Sequence, residues 1–418
     1  MEAGDGGAAA TSAVGLCLLP SELLLEIVAR LALPEILRLR AVSRALESLV
    51  SGDFGRILHD GGSWIFLFKK RPPRDAVLRG FNDLAGRWFR FPVAGVLAPA
   101  VPPGEDLYFL AADGDFFVFA CNGRRELVAV NLRTGAAHKI PACPLGPRGT
   151  SSWRRPGLKL LAGPSGSDRF RFVFAELQQD RPVLYEYNSE TGAWRSSEAV
   201  EPPGSQERAA LAVLPRTDAA ALLSISHHGN ESTVVAAGRD GVQGPPVVYR
   251  PRFMGPGASE AAETADRLRV YGDGHMAILR SATIASEETT QQQHRVRVRR
   301  LVGVEVWGMS GDGGEWEMLS RAPEEVVGMV GRPYCVMMGC LEERGKVVRV
   351  VVMSNYKGLW DLVWLCFDSA KGEWAAVPVP DYGTKGLNMA GIAVTSSLGL
   401  LPSTVTTSTA GRSSGRSF

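Results

Sequence analysis

The sequence predicts a mainly β protein, in which a short helical segment precedes a β-propeller. Apolar residues recur at helical spacing only between residues 19 and 58. From about residue 60 onward, the chain consists of short β-branched and aromatic runs separated by Gly, Asn, Asp and Pro, as strands are. One kind of turn also recurs at intervals of roughly 50 residues, which is typical of small sheets stacked side by side.

The composition permits a large core and gives no strong electrostatic bias. The chain has 418 residues, of which 45% are hydrophobic, and a formal net charge of +2. Because nucleic-acid binding relies on an excess of Lys and Arg, we expect no nucleic-acid partner. The six cysteines are spread thinly, without a C-x-x-C pair, so we expect no structural zinc site and mostly buried, reduced thiols. These features favour a protein of the cytoplasm and/or nucleus.

Residues 19–31, LPSELLLEIVARL, predict an amphipathic helix and not a membrane anchor. A spanning helix needs about 20 nearly uninterrupted apolar residues, because the bilayer core cannot solvate charge. Here Glu22, Glu26 and Arg30 interrupt the run at four-residue intervals. The preceding leader contains acids and no basic residue, which is unlike a secretory signal. We therefore expect no membrane partner.

The apolar residues of this first helix form one predicted stripe, which consists of Leu19, Leu23, Leu24, Ile27, Val28 and Leu31. Pro20 suits the first helical position, and Glu22 lies in the first turn, where the helix dipole favours an acid. Pro34 and Glu35 then begin a second helix, and the apolar spacing continues into a third. Residues 19–58 are predicted to form about three short helices.

Five strand pairs are joined by turns of similar chemistry, for example VNLRTGAAHKIP, YNSETGAWRSS and CFDSAKGEWAAVPVP. In this pattern Asn or Asp caps the turn, Gly supplies a positive φ, and Trp begins the returning strand and packs under it. The turn glycines are Gly86, Gly135, Gly192, Gly314 and Gly372, separated by 49, 57, 122 and 58 residues. The long step fits two units, with a degenerate turn around Gly241. The repeat therefore predicts six blades of kelch-like length, with seven as the alternative.

A pair of β-sandwiches is the competing fold, but it gives no reason for a turn repeated at a fixed period. Closing the propeller would pair the strand SWIFLFKK with the carboxyl-terminal LNMAGIAVTSSLGLL, since unclosed end blades would expose sheet edges. The predicted boundaries are a disordered leader at 1–16, the helical domain at 17–60, the propeller at 61–402 and a disordered Ser/Thr-rich tail at 403–418.

Three stretches within the propeller stand apart from the repeat. The polar insertions RFMGPGASEAAETADR and SATIASEETTQQQHR are predicted to be long exposed loops. The stretch HRVRVRR alternates Arg with Val, so Arg295, Arg297 and Arg299 would share one face of a strand. This face is either simply solvated or a basic patch for an acidic partner.

The stretch LPSELLLEIVARLALPEILRLRAVSRALESL closely resembles an F-box, the module by which substrate receptors dock on the Skp-type adaptor of cullin-RING (SCF) ubiquitin ligases. The shared pattern is Leu-Pro-x-Glu-Leu-Leu at the start, Leu-Pro-Glu at the second helix, then Val-Ser-Arg. Many F-boxes carry Cys and Trp where this chain has Ser43 and Leu46. The resemblance implies that the adaptor-binding residues are Leu19, Pro20, Leu23, Leu24, Ile27, Val28, Leu31, Leu37 and Val42.

An F-box followed by a propeller resembles the F-box/kelch-type receptors of plants. This resemblance implies a non-catalytic substrate receptor of an E3 ubiquitin ligase, which binds the adaptor, through it a cullin, and an unidentified target protein on the propeller. It implies no catalytic residue, cofactor or metal. Two alternatives stay open: a scaffold that uses its F-box without any ligase, and an enzyme with clustered acids, histidines or metal ligands near the propeller channel.

Overall fold

The computed structural model describes residues 19–31, 33–51, 62–69, 76–153, 157–164, 167–202, 220–228, 231–238, 244–253, 267–272, 274–288, 295–380, 389–395 and 398. The predicted leader and tail lie outside these residues, and so does the degenerate turn expected around Gly241. The insertion RFMGPGASEAAETADR also lies almost entirely outside them.

The helices are short. The first two are α1 (Ser21–Arg30) and α2 (Leu33–Leu39), and residues 44–51, which we call α3, are also helical. Ser43 begins α3, because its hydroxyl oxygen accepts a hydrogen bond of 3.2 Å from the backbone N–H of Leu46. Three further helices lie between sheets: α4 (Ala94–Leu97), α5 (Thr150–Trp153) and α6 (Glu324–Gly328). No described helix is long and apolar enough to cross a membrane.

The described strands form four four-stranded sheets and one eight-stranded sheet. The first sheet contains β1 (Trp64–Lys69), β2 (Val77–Asn82), β3 (Arg87–Pro92) and β24 (Met389–Thr395). The second contains β4 (Leu107–Asp113), β5 (Phe116–Cys121), β6 (Glu126–Asn131) and β7 (Ala136–Ile140). The third contains β8 (Leu158–Ala162), β9 (Phe170–Gln178), β10 (Arg181–Asn188) and β11 (Ala193–Glu198).

The eight-stranded sheet follows, and the fifth sheet completes the circle. The eight strands are β12 (Ala220–His228), β13 (Glu231–Gly238), β14 (Val247–Tyr249), β15 (Arg252–Phe253), β16 (Arg267–Gly272), β17 (His275–Glu288), β18 (Arg295–Met309) and β19 (Glu315–Arg321). They form two antiparallel groups, β12 to β14 and β16 to β19, which β15 joins by pairing with β13 and β19. The fifth sheet contains β20 (Val336–Arg344), β21 (Val347–Tyr356), β22 (Leu359–Asp368) and β23 (Glu373–Val377).

The inner strands form a closed ring, which makes the arrangement propeller-like. β4 contacts β8, β8 contacts β12, β12 contacts β16, β16 contacts β20, and β20 and β4 both contact β24. β24 also pairs with β1, with Trp64 opposite Thr395 and Leu67 opposite Ile392. The predicted closure between the first and last strands is therefore confirmed. The first and last described strands therefore share one sheet, which closes the ring.

The repeated turns have the predicted chemistry. Gly135 has a φ of 72°, and its N–H donates to the Asn131 carbonyl at 2.9 Å. The Asn131 side-chain oxygen accepts the N–H of Arg133 at 2.9 Å, and Asp368 caps its own turn in the same way. The prediction was wrong by one residue in the β18–β19 turn. There the positive φ of 71° belongs to Gly313, and Gly314 instead donates its N–H to Asp312.

The Trp that follows four of these turns connects neighbouring strand groups, which the sequence did not indicate. Each indole N–H donates to the preceding strand group or to the segment just after it, across the closure in the case of Trp88. The four bonds are Trp88 to Pro380 O at 2.9 Å, Trp194 to Pro141 O at 2.8 Å, Trp316 to Ser232 Oγ at 2.8 Å and Trp374 to Ser320 Oγ at 2.9 Å. For Trp316 the partner belongs to the preceding strand group of the same eight-stranded sheet. The Trp therefore packs under its own strand and also hydrogen-bonds the preceding part of the propeller-like ring.

We expect Trp316→Phe to lower the free energy of unfolding by about 1 to 2 kcal/mol, because it removes a buried hydrogen bond and some indole volume. The measurement is chemical denaturation. Ser232→Ala and the double variant complete a double-mutant cycle. The cycle should give a coupling energy of at least about 0.5 kcal/mol, and strictly additive effects would contradict the inter-group bond.

The segment SATIASEE was predicted to be part of a loop, and that prediction was wrong. Residues 281–288 belong to β17 and pair with the first half of β18, from Glu288 opposite Arg295 to Ser281 opposite Leu301. The alternating Val and Arg of β18 supply a strand partner, and the small residues of β17 accommodate it. Of the rest of that insertion, residues 289–294 lie outside the described residues, and Arg295 begins β18.

Candidate functional site

A cavity of about 1140 Å³ occupies the centre of the ring. All six inner strands line it, and the lining includes the side chains of Asp113, Lys159, Arg269, His275, Glu342, Glu343 and Arg344. Acids and bases are mixed along its wall, so the channel has no single sign of charge. Its size is at the upper end of small-molecule sites.

Several of the charged groups in the channel wall are engaged in the fold. The Nδ1 atom of buried His275 lies 3.1 Å from a carboxylate oxygen of Glu343, which joins β17 to β20. The Asp113 carboxylate accepts the N–H of Ala162 at 2.8 Å. Burial lowers the pKa of the Arg269 guanidinium, and the nearby charge of Arg267 adds to this effect. The His275–Glu343 contact connects β17 to β20, and the Asp113 bond connects the inner strands β4 and β8.

Within the described residues, no three His, Cys, Asp or Glu side chains are grouped so that they could hold a metal ion. None of the described cysteines is in a disulfide. Burial raises the pKa of the Cys121 thiol to about 12, and the carboxylates of Glu105 and Glu126 contribute to the increase. Burial also raises the pKa of Cys366, to about 11. These two thiols are therefore protonated at neutral pH and are poor nucleophiles.

The first helix has two apolar faces that point in different directions. Val28 is 1% exposed, and Leu24, one turn earlier, is also buried. Leu23 precedes Leu24 in the chain, yet its side chain is 48% exposed. Residues four apart share a side of a helix, whereas neighbours in sequence are about 100° apart. The predicted single stripe is therefore divided into an inward and an outward face.

The inward face attaches the helical segment to the propeller. Val28 of α1, Ile36 of α2 and Val50 of α3 belong to one buried cluster with Phe89 and Phe91 of the first sheet. α2 also contacts β3. Burying three aliphatic side chains contributes roughly 1.5 to 3 kcal/mol each. The helices therefore do not form a free-standing bundle, since they share the core of the first sheet.

The outward face exposes apolar side chains. Val42 lies in the turn between α2 and α3 and is 68% exposed, and Pro20 at the start of α1 is exposed as well. Like Leu23, these two residues of the helical segment are not covered by the rest of the described chain. Exposed apolar surface of this kind often marks a site of protein–protein contact.

Residues 16–54 match the family model of the F-box domain. The match covers α1, α2 and α3, and confirms the family resemblance of this segment. The F-box domain is followed by the propeller-like ring of sheets. F-box domains typically bind Skp1-type adaptors, and proteins that carry them are generally non-catalytic.

No curated protein sequence matches this chain. Similar solved structures include a chain of a nidogen/laminin complex, with 10% identity and a TM-score of 0.39 over 81% of this chain and 99% of that one. Apo AztD from Citrobacter koseri has 9% identity and a TM-score of 0.30 over 80% of this chain and 98% of its own. Puromycin hydrolase has 11% identity and a TM-score of 0.28 over 77% of this chain and 53% of its own.

The predicted adaptor-binding residues differ in exposure within the F-box domain. Pro20, Leu23 and Val42 are exposed, Leu19, Ile27 and Leu31 are half-buried, and Leu24 and Val28 are buried. The side chain of Leu37 lies outside the described part of the chain. Val28 belongs to the core that the helices share with the first sheet. Adaptor contact by all of these residues stays a prediction, and the exposed side chains of Leu23 and Val42 are the best placed for it.

Proposed function

We propose that this protein is the substrate-recognition subunit of an SCF-type E3 ubiquitin ligase. The F-box domain would dock on the Skp-type adaptor and through it on a cullin, while the propeller would bind a target protein for ubiquitination and degradation. The observation that carries this proposal is the F-box match over α1 to α3, combined with the exposed apolar side chains of Leu23 and Val42. An apolar surface that the described chain leaves uncovered is what an obligate docking module needs.

The shared core supports a mechanism based on orientation. Because Val28, Ile36 and Val50 pack with residues of the first sheet, the F-box and the propeller are held in one arrangement. A target on the propeller would then lie at a fixed position relative to the ligase. This arrangement raises the effective concentration of target lysines near the conjugating enzyme. No bond is made or broken by the receptor itself.

We also infer a six-bladed, kelch-type propeller of the plant F-box class. Four blades are the four-stranded sheets, and the two antiparallel groups of the eight-stranded sheet are the other two. The six inner strands of the ring support this count. The proposed location is the cytoplasm and/or nucleus, where a ubiquitin ligase would act on its target.

The test of docking is the double variant Leu23→Asp, Val42→Asp. We expect it to reduce the affinity for a recombinant Skp-type adaptor at least about 30-fold, because charges replace two exposed apolar contacts at the centre of the proposed interface. Affinity is measured by titration calorimetry with the full chain.

The matched control is Leu84→Asp, which changes an exposed Leu in the β2–β3 turn of the propeller. It should bind the adaptor as the wild type does. Undiminished binding by the double variant would contradict the docking assignment. Capture of the adaptor without a cullin would instead support a ligase-independent scaffold.

A further inference from the structure

Large apolar side chains are exposed at one end of two neighbouring strand groups, β16 to β19 and β20 to β23. In antiparallel sheets, the starts of the first and third strands and the end of the second strand lie at the same end, which we call the entry end. Near this end, Ile284 and Val302 are exposed on β17 and β18, and Val336 and Leu359 are exposed at the starts of β20 and β22. Met329, in the connection that leads to β20, is also exposed.

A backbone bridge brings the strands that carry these side chains together. The backbone of Tyr334 exchanges two hydrogen bonds of 2.9 Å with Arg299 of β18, and this bridge joins the two strand groups. Val336 follows Tyr334 closely and pairs with Asn355, while Leu359 pairs with Tyr356 across the next turn. We call the exposed set Ile284, Val302, Met329, Val336 and Leu359 the entry-end surface.

Two β-bulges create the exposure of this surface on the hairpin of β17 and β18. Arg280 is opposite Gly303 and Ser281 is opposite Leu301, so Val302 is an extra residue. In the same way, Thr283 is opposite Arg299 and Ala285 is opposite Val298, so Ile284 is an extra residue on β17. A bulge re-aims a side chain, and bulges are frequent beside binding sites. Both extra residues are β-branched and apolar, and both are exposed, although their neighbours Leu301 and Val298 are buried.

The hairpin also projects beyond the rest of its sheet. Within the described residues, which begin at Arg267 on this strand, β16 pairs with β17 as far as Arg280, and β19 pairs with β18 from Glu305. Among the described residues, the segment from Ala282 to Ala285 is exposed at every position. The hairpin therefore stands above the entry end and can contact a partner that lies across both strand groups.

The charges around the surface are mostly basic. Arg297 and Arg300 are exposed on the hairpin, Arg332 lies between the two strand groups, and Lys357 lies in the β21–β22 turn. The Asp361 carboxylate is 3.7 Å from Arg332, a loose and solvated pair. Exposed acids are also present, because Glu324 and Glu325 belong to α6, a helix that contacts both β18 and β23. Basic and apolar side chains together complement acidic and apolar ones.

We infer that the entry-end surface binds an extended segment of a target protein in which apolar and acidic side chains alternate. This inference rests on the proposed function, because the protein that occupies the surface would be the target of the ubiquitin ligase. Apolar side chains of the segment would contact Ile284, Val302 and Val336. Its carboxylates would meet the guanidinium groups of the hairpin, of which Arg297 and Arg300 lie on opposite faces of β18. The projecting hairpin would place the segment across the two strand groups.

The probe is a fluorescent peptide of about 12 residues in which Glu alternates with Ile and Val, compared with the same peptide carrying Lys for Glu. Binding to the full chain is followed by fluorescence anisotropy. We expect the acidic peptide to bind at least about tenfold more tightly than the basic one, and its affinity to fall as salt increases. The variants Ile284→Asp and Arg297→Glu, Arg300→Glu should each reduce its affinity about tenfold or more.

Two controls locate the site. Leu177→Asp changes an exposed Leu at the same end of the third sheet, and Arg195→Glu reverses an exposed charge on β11. Both should leave peptide affinity unchanged. Equal binding of acidic and basic peptides, or equal losses in the control variants, would overturn the inference. Tighter binding of a single-stranded RNA of the same length, lost in the Arg variant, would also overturn it and assign the surface to a polyanion.

Adaptor binding is measured on the same preparations. If the adaptor binds and the peptide does not, the docking proposal stands and the entry-end inference fails. If the peptide binds through these residues and the adaptor does not, the surface is a binding site of a protein that is not a ligase receptor.

Discussion

Gly391→Ala is expected to lower the free energy of unfolding by about 3 kcal/mol or more, a large effect for the addition of one methyl group. Gly391 has a φ of 134°, a conformation that L side chains rarely adopt. A Cβ built there would lie 2.1 Å from the Phe109 carbonyl oxygen of β4. Because that oxygen belongs to the backbone, the two inner strands would have to separate. The measurement is chemical denaturation of the full chain.

Gly345→Ala is the matched control for this variant. Gly345 also has a positive φ, of 63°, but a Cβ there would meet nothing within 4 Å. Its replacement should cost only about 1 kcal/mol, from backbone strain alone. The difference between the two variants therefore measures how closely β24 and β4 approach each other at the closure. Equal losses in both variants would show that this contact does not limit stability.

The parts of the fold that depend on local chemistry could be predicted from the sequence. The turn at Asn131–Gly135 needs a side-chain cap and a positive φ within five residues, and the residue types Asn and Gly indicate both. The partner of Trp316 could not be predicted in this way, because Ser232 lies 84 residues away in another strand group. Neither the local spacing nor the chemistry of Ser identifies such a partner.

The candidate site, too, could be predicted from the sequence only in part. The spacing of charges predicted that α1 is amphipathic, and the structure agrees. The division between Leu23 and Leu24 could not be predicted, because the two residues are chemically identical and only the position of the first sheet separates them. The projecting hairpin was missed because Ser, Ala and Thr are common in loops. The Arg–Val alternation of β18 was the available signal, since a strand of that length requires a partner.

A second large effect is expected at Glu305, which is fully buried in β18. One of its carboxylate oxygens forms an ion pair with Arg280 at 2.9 Å and accepts a hydrogen bond from Arg321 at 2.8 Å, and the other accepts the indole N–H of Trp307 at 3.2 Å. The three strands β17, β18 and β19 are thus joined through one buried charge. Such a charge is tolerated only because its partners replace the water that it has lost.

Glu305→Gln is expected to lower the free energy of unfolding by about 3 kcal/mol, although the side chain keeps its shape. The change leaves two guanidinium groups facing each other without the carboxylate, and that of Arg280 is largely buried. Arg321→Gln should cost less than about 1 kcal/mol, because the Arg321 side chain is 59% exposed and Glu305 keeps its bond to Arg280. Thermal and chemical unfolding of both variants provide the measurement.

If Glu305→Gln lowers the free energy of unfolding as little as Arg321→Gln does, the buried carboxylate does not hold the three strands together. A large difference would show instead that the projecting hairpin is fixed at its base by this charge cluster, and the entry-end surface should then lose peptide affinity in Glu305→Gln as well.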